Sequence, residues 1–130
     1  MGEYSVKIIN EKLILAYGLT IVEEEKLNSL LSIQNILPCK VIEKNMGNVT
    51  IKEILNNVKN TKSNTELPNE KLLLFNNFND TELYKLIDDV RQFKNSDTIL
   101  AAVTATSINW TVSYLLNHLI NEREAYRKNE

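Results

Sequence analysis

The second half of this 130-residue chain repeats the first. Lys12-Leu13-Ile14-Leu15-Ala16-Tyr17 returns as Lys71-Leu72-Leu73-Leu74-Phe75-Asn76. Asn48-Val49-Thr50, followed by Ile54-Leu55, returns as Asn109-Trp110-Thr111, followed by Leu115-Leu116. The offset drifts only from 59 to 61 residues between these matches. A period of roughly 60 is too long for a solenoid repeat. It points to one β/α unit, duplicated and fused inside a single domain, residues 1–130, with repeats 12–58 and 71–119.

Each half reads strand, helix, strand, helix. Leu13 to Tyr17 is a short continuous apolar run, the pattern of a strand buried on both faces, and Lys71 to Phe75 reads as its counterpart strand. Thr20 with Glu23, and Thr50 with Glu53, have the spacing of capping boxes, in which side chains satisfy the first free N–H groups of a helix. Leu27, Leu30 and Leu31 mark the inner face of a first helix. Ile51, Ile54, Leu55 and Val58 mark a second, at the i, i+3, i+4, i+7 spacing of an amphipathic helix. Leu83, Leu86, Ile87 and Val90 mark a third, begun by Asn79-Asp80-Thr81-Glu82. Val112, Leu115, Leu116 and Leu119 mark a fourth, running to about Ala125 with a charged tail. Cys39 to Glu43 reads as the second strand. Thr98 to Thr104 is the most apolar strand and is expected at the centre of the sheet. Tyr4 to Ile9 is assigned as an added edge strand, and the polar stretch 60–69 as the linker between halves.

Strands joined by crossover helices lie parallel. The expected fold is therefore α/β: a duplicated β-α-β-α unit with a largely parallel sheet of four or five strands and packed helices. A ferredoxin-like α+β layer with mixed strand directions is the alternative.

Composition narrows the function. Net charge is −2, with 8 basic and 7 acidic side chains in the first 65 residues and 7 and 10 in the last 65. Without a basic stripe, nucleic-acid binding lacks its main source of affinity. The single cysteine, Cys39, excludes an internal disulfide, and no Cys/His cluster has metal-ligand spacing; no cofactor or metal is expected. No apolar run is long enough to span a membrane, and the start lacks the pattern of a signal peptide. A cytoplasmic location is the expectation.

The segment from Thr104 to Thr111 is the strongest site candidate. In open α/β sheets, ligands bind where such a segment leaves the carboxyl end of a strand and enters a helix. Thr104, Thr106, Ser107, Asn109 and Thr111 bring hydroxyls and an amide beside free N–H groups, the ingredients of an anion site. There is no Gly for a phosphate to approach and no Lys to meet it, so the segment is not a P-loop. Capping explains the same residues, with Ser107 or Asn109 as N-cap and Trp110 packed on the core. If Trp110 and Tyr114 instead share an exposed face, they mark an interface, where aromatics are enriched.

This segment also carries a resemblance. Ala102-Val103-Thr104, then Thr106, Asn109-Trp110-Thr111, Leu115-Leu116 and Glu122, resembles a bacterial domain-of-unknown-function family, number three-seven-eight-three, over about Lys71–Glu124. The family has Pro after the first Thr and Asn after the second; this chain has Ala105 and Ser107 there. The resemblance implies a domain and no particular activity.

The other chemistry-bearing residues have plainer readings. Asn48, Asn79 and Asn109 sit in glycosylation sequons, but all fall at helix starts, where Asn is a favoured cap. His118, the single histidine, reads as a half-exposed helix residue beside Leu115 and Leu119, with no catalytic partner. Glu23-Glu24-Glu25 and Asp88-Asp89 read as solvated faces. The leading expectation is a non-enzymatic protein-interaction module that binds a protein partner or itself. The alternative is a small-molecule or anion-binding protein using the 104–111 loop, with a counterpart at Asn45–Thr50. An enzyme is third.

Overall fold

The computed structural model describes residues 11–57, 66–92 and 97–128. In chain order the elements are β1 (Leu13–Tyr17), α1 (Ile21–Ile33), β2 (Lys40–Ile42), α2 (Ile51–Leu55), β3 (Leu72–Asn76), α3 (Asp80–Arg91), β4 (Ile99–Ala102), a 3-10 turn (Ser107–Asn109) and α4 (Val112–Lys128). The edge strand expected at Tyr4–Ile9, the helical residue Val58 and most of the 60–69 linker lie outside the described residues. The chain forms two compact units, Met1–Glu43 with Asn69–Val103, and Lys44–Pro68 with Thr104–Glu130.

The first unit is a mixed α/β layer. Its four-stranded sheet has the order β2-β1-β3-β4. β1 pairs parallel with β2 and β3 parallel with β4, but β1 and β3 are antiparallel. The sheet is therefore mixed, not largely parallel. The crossover rule governs only strands joined directly through a helix, and each such pair obeys it. Between β2 and β3 lie α2 and a long polar stretch, which free β3 to run either way. The alternative's mixed strand directions are found, but not its ferredoxin-like connectivity, because that fold splits its β-α-β strand pairs. Here the strands of each pair are neighbours.

Position in the sheet follows burial rather than apolar content alone. Ile14, Ala16, Leu73 and Phe75 share one face and form a cluster with Leu27 and Leu31 of α1 and Leu86 and Val90 of α3. Each fully buried leucine there contributes about 2 kcal/mol relative to exposure. Leu15, Tyr17, Leu72 and Leu74, on the opposite face, are buried too. This two-sided burial is why the runs show no alternation. β4 was expected at the centre and lies at the edge of the order, its residues half-buried and Ala102 exposed. Its alanines raise its apolar count but bury little area.

Helix entry is fixed locally. Thr20 and Asn79 cap α1 and α3 with reciprocal boxes to Glu23 and Glu82. Gly18, at φ 80°, and Asn77, at φ 66°, turn the chain from each strand toward its helix. A Cβ at Gly18 would lie 2.0 Å from the Glu70 carbonyl oxygen. Gly18→Ala should therefore cost at least about 2 kcal/mol, left-handed strain and overlap adding. Asn77→Gly should stay within about 0.5 kcal/mol of the parent in urea denaturation.

Ion pairs cross between strand and helix. Both oxygens of Glu23 accept from Lys71 Nζ at 2.9 Å, and Lys12 pairs with Glu82. Burial pushes the Glu23 carboxyl up, but the Lys71 hydrogen bonds and charge, with the Thr20 N–H, outweigh it and leave it below its ordinary value of 4.5. The unfolded carboxyl binds its proton at higher pH than the folded one. Its stabilisation is thus complete above the ordinary value and lost as pH falls through the lowered one. Glu23→Gln keeps the cap and removes the charge. It should be less stable by about 1 kcal/mol at neutral pH, with the gap closing as pH falls through the lowered value. A gap constant across that range in denaturant titrations would assign the loss to something other than the charge.

Candidate functional site

The second unit holds the whole 104–111 segment. Its framework is a short antiparallel bridge between Thr50 and Thr111. Ile51 N–H donates to Trp110 O at 3.0 Å, and Val112 N–H to Val49 O at 2.9 Å. Each threonine then caps the helix that follows. Thr50 Oγ1 accepts from Glu53 N–H at 3.1 Å, and Thr111 Oγ1 from Tyr114 N–H at 3.1 Å. Beneath them Val49, Ile51, Ile54, Leu55, Val112, Leu115 and Leu116 are buried. Of the expected linker, Leu67 is buried and its N–H donates to Lys44 O.

Most of the segment's hydroxyls are spent on their own backbone. Thr104 N–H donates to Ser107 Oγ, and Ser107 N–H to Thr104 Oγ1, both at 3.0 Å. The Thr104 hydroxyl also donates to Ser107 Oγ at 3.1 Å. This closes the turn as a capping box closes a helix. Ser107 is buried, whereas Thr104, Thr106 and Asn109 are exposed. Asn109 Nδ2 reaches only Ala105 O, at 3.5 Å. Neither Ser107 nor Asn109 caps α4; Thr111 does, because its hydroxyl stands three residues before Tyr114 N–H. Likewise Thr50, not Asn48, caps α2, and of the three sequon asparagines Asn79 alone is an N-cap.

An anion at this segment would find the Thr106 hydroxyl, the Asn109 amide and any N–H groups still free, with no cation in the segment. Elsewhere, a cleft of about 170 Å³ in the first unit is lined by Lys12, Gln34, Asn35, Ile36, Lys85 and Leu86, among others. It is smaller than the usual ligand pocket, and its lysines are already paired with Glu82 and Asp89. Among the described residues no three metal-ligating side chains cluster. Asp89 is not merely solvated, since it also accepts from Gln34 Nε2 at 3.0 Å.

The aromatic residues assemble differently. Trp110 is half-buried, not a core residue, and meets Tyr114 edge to face at 4.7 Å between ring centroids. It also meets His118 edge to face, at 5.2 Å. Tyr114 is 57% exposed. His118 Nε2 in turn lies 2.8 Å from Glu122 Oε1, both side chains about half exposed. A ladder of Trp110, Tyr114, His118 and Glu122 thus runs along the outer face of α4. Sequence reasoning placed His118 beside Leu115 and Leu119 and missed its link to Trp110. The signal was the four-residue spacing of the set, which stacks side chains on one helical face.

One family matches part of the chain. Residues 71–126 match the model of a family described as Domain of unknown function (DUF3783). The match spans β3, α3, β4, the 3-10 turn and most of α4, and agrees with the resemblance read from Lys71–Glu124. Among curated proteins and solved structures nothing matches the chain. No helix among the described residues is long and apolar enough to cross a membrane.

The hydrogen bonds of the segment separate its residues by role. Ser107→Ala should cost about 1–2 kcal/mol, since it strands the Thr104 N–H. Thr106→Ala and Asn109→Ala should stay within about 0.5 kcal/mol. Urea denaturation of the three variants checks this; equal losses would mean the turn is held in another way.

Proposed function

We propose that this chain is a non-enzymatic protein-interaction module whose contact surface is the outer face of α4. The observation that carries this reading is the ladder in which half-buried Trp110 meets exposed Tyr114 and His118. Rigid aromatic side chains bury much area at low entropic cost, and they dominate binding energy at interfaces. Small-anion binding at 104–111 has weaker support, because Thr104, Ser107 and Thr111 already serve the fold.

We also infer that the two halves arose by duplication of one β-α-β-α unit. The supporting features are registers and caps that repeat at fixed offsets. In the first unit, adding 59 carries Thr20 with Glu23 onto Asn79 with Glu82, and Gly18 onto Asn77. It also turns the Glu23–Lys71 pair into its exchanged counterpart, Glu82–Lys12. In the second unit, adding 61 carries Thr50 onto Thr111 and converts one bridging hydrogen bond into the other. On this reading Val49, Glu53 and Asn57 of the first half correspond to Trp110, Tyr114 and His118 of the second. The aromatic ladder is then an acquisition of one half.

Affinity purification from native extract, with proteins and small molecules both identified by mass spectrometry, tests the function. A stoichiometric protein should be captured and then lost with Tyr114→Ala, a variant that keeps the parent's melting temperature. Retention of a metabolite, with no protein dependent on Tyr114, would sink the interaction reading.

A further inference from the structure

The exposed face of α4 has a chemical order that complements its own reverse. Tyr114, His118, Glu122 and Tyr126 stand at successive four-residue intervals along it. The two tyrosines are 57% and 72% exposed. His118 and Glu122 occupy the centre, with side chains 48% and 62% exposed. Rotating a second helix by two-fold symmetry about the midpoint sets Tyr114 against the other copy's Tyr126. The same rotation sets His118 against the other copy's Glu122, in a closed, isologous contact. Rows of side chains four apart are also the ridges that interlock in the commonest class of helix packing.

Such a row is narrow. A stable interface buries roughly 1,200 Å² or more, beyond what four side chains per copy supply. The centre of the row offers a second source of affinity. His118 Nε2 and Glu122 Oε1, 2.8 Å apart, are a nitrogen and an oxygen donor on one face. Two ligands of a tetrahedral zinc site stand about 3.4 Å apart, given metal–ligand bonds of about 2.1 Å. Opening the pair by under roughly 1 Å reaches that geometry. One copy supplies half a ligand set, and no further metal-ligating side chain joins it among the described residues. Two copies related as above bring two imidazoles and two carboxylates together.

We propose that a divalent transition-metal ion of the zinc class joins two copies of this chain through His118 and Glu122 of each. The proposal rests on the interaction reading of α4 and names its partner as a second copy. The ion takes the lone pair of neutral His118 Nε2, so the ring proton resides on Nδ1, and the carboxylate of Glu122 gives up its hydrogen bond to the ring. Tyr114 and Tyr126 flank the ion and shield it from water.

The full chain titrated with zinc chloride, followed by light scattering and by Trp110 fluorescence, tests this. Trp110 is the single tryptophan and its ring touches that of His118, so its emission reports the site. Zinc should convert monomer to dimer at one ion per two chains, reversed by a chelator. His118→Ala and Glu122→Gln should each raise the zinc concentration required by roughly tenfold or more, with circular dichroism unchanged. One ion per chain without dimer, or no zinc binding by the folded parent, overturns the proposal. A dimer that persists in chelator and is lost with Tyr114→Ala but not His118→Ala overturns the metal bridge. That last outcome leaves the α4 interaction reading standing.

Discussion

The antiparallel pairing of β1 with β3, centred on Leu15 opposite Leu74, is the constraint on which the first unit depends. A lone β-α-β segment offers two strands and one helix, too little to bury both faces of either. Joining two segments through their first strands makes four strands and brings α1 and α3 onto one face. There Leu27, Leu31, Leu86 and Val90 share a single cluster. A one-residue slip would exchange the faces of every residue in the strand, moving Ile14 and Ala16 away from the helices. The ion pairs Lys12–Glu82 and Lys71–Glu23 reinforce that register. Each runs from the start of one central strand to the helix that follows the other.

What was legible in the sequence was local. The segments Leu13–Tyr17 and Lys71–Phe75 identified strands because short, mostly apolar segments have few other uses. Thr20, Thr50 and Asn79 identified helix starts because a capping box occupies four adjacent positions and needs nothing distant. The direction of β3 against β1 was not legible. It depends on how β3 meets β1 across a long intervening segment, and no local pattern encodes that. The place of β4 was misread because alanine counts as apolar in a composition while burying little surface. Asn48 and Asn109 were taken for caps on residue type alone; the threonines two positions later have the spacing to the following N–H groups.

At 104–111 the sequence supplied the right residues and left their use open. Four hydroxyls and an amide are equally the inventory of an anion site and of a turn that satisfies itself. Hydrogen-bond accounting favours the second use. Thr104 and Ser107 are paired with each other and Thr111 with Tyr114 N–H, so three of the four hydroxyls already serve the fold. Satisfying the turn internally has a further effect. It fixes the backbone that carries Trp110, whose O and N–H are both hydrogen-bonded, and so sets the indole against the first turns of α4.

That placement connects fold to function. An unsupported surface tryptophan would sample several rotamers and lose entropy on binding. Here Tyr114 and His118 both pack edge to face against the ring. The ladder is therefore organised before any partner arrives. The length of α4 matters for the same reason. The five residues of α2 could not present a row of side chains four apart beyond a single step, while the 17 residues of α4 present Tyr114, His118, Glu122 and Tyr126 in line. If the halves share an ancestor, the first half kept the compact cap with Glu53 closing it. The second gave up that carboxylate for Tyr114 and extended the helix, exchanging a local hydrogen bond for an outward-facing aromatic row. The cost of the exchange is small, because Thr111 still caps α4; the gain, on the proposed reading, is an outward-facing contact surface.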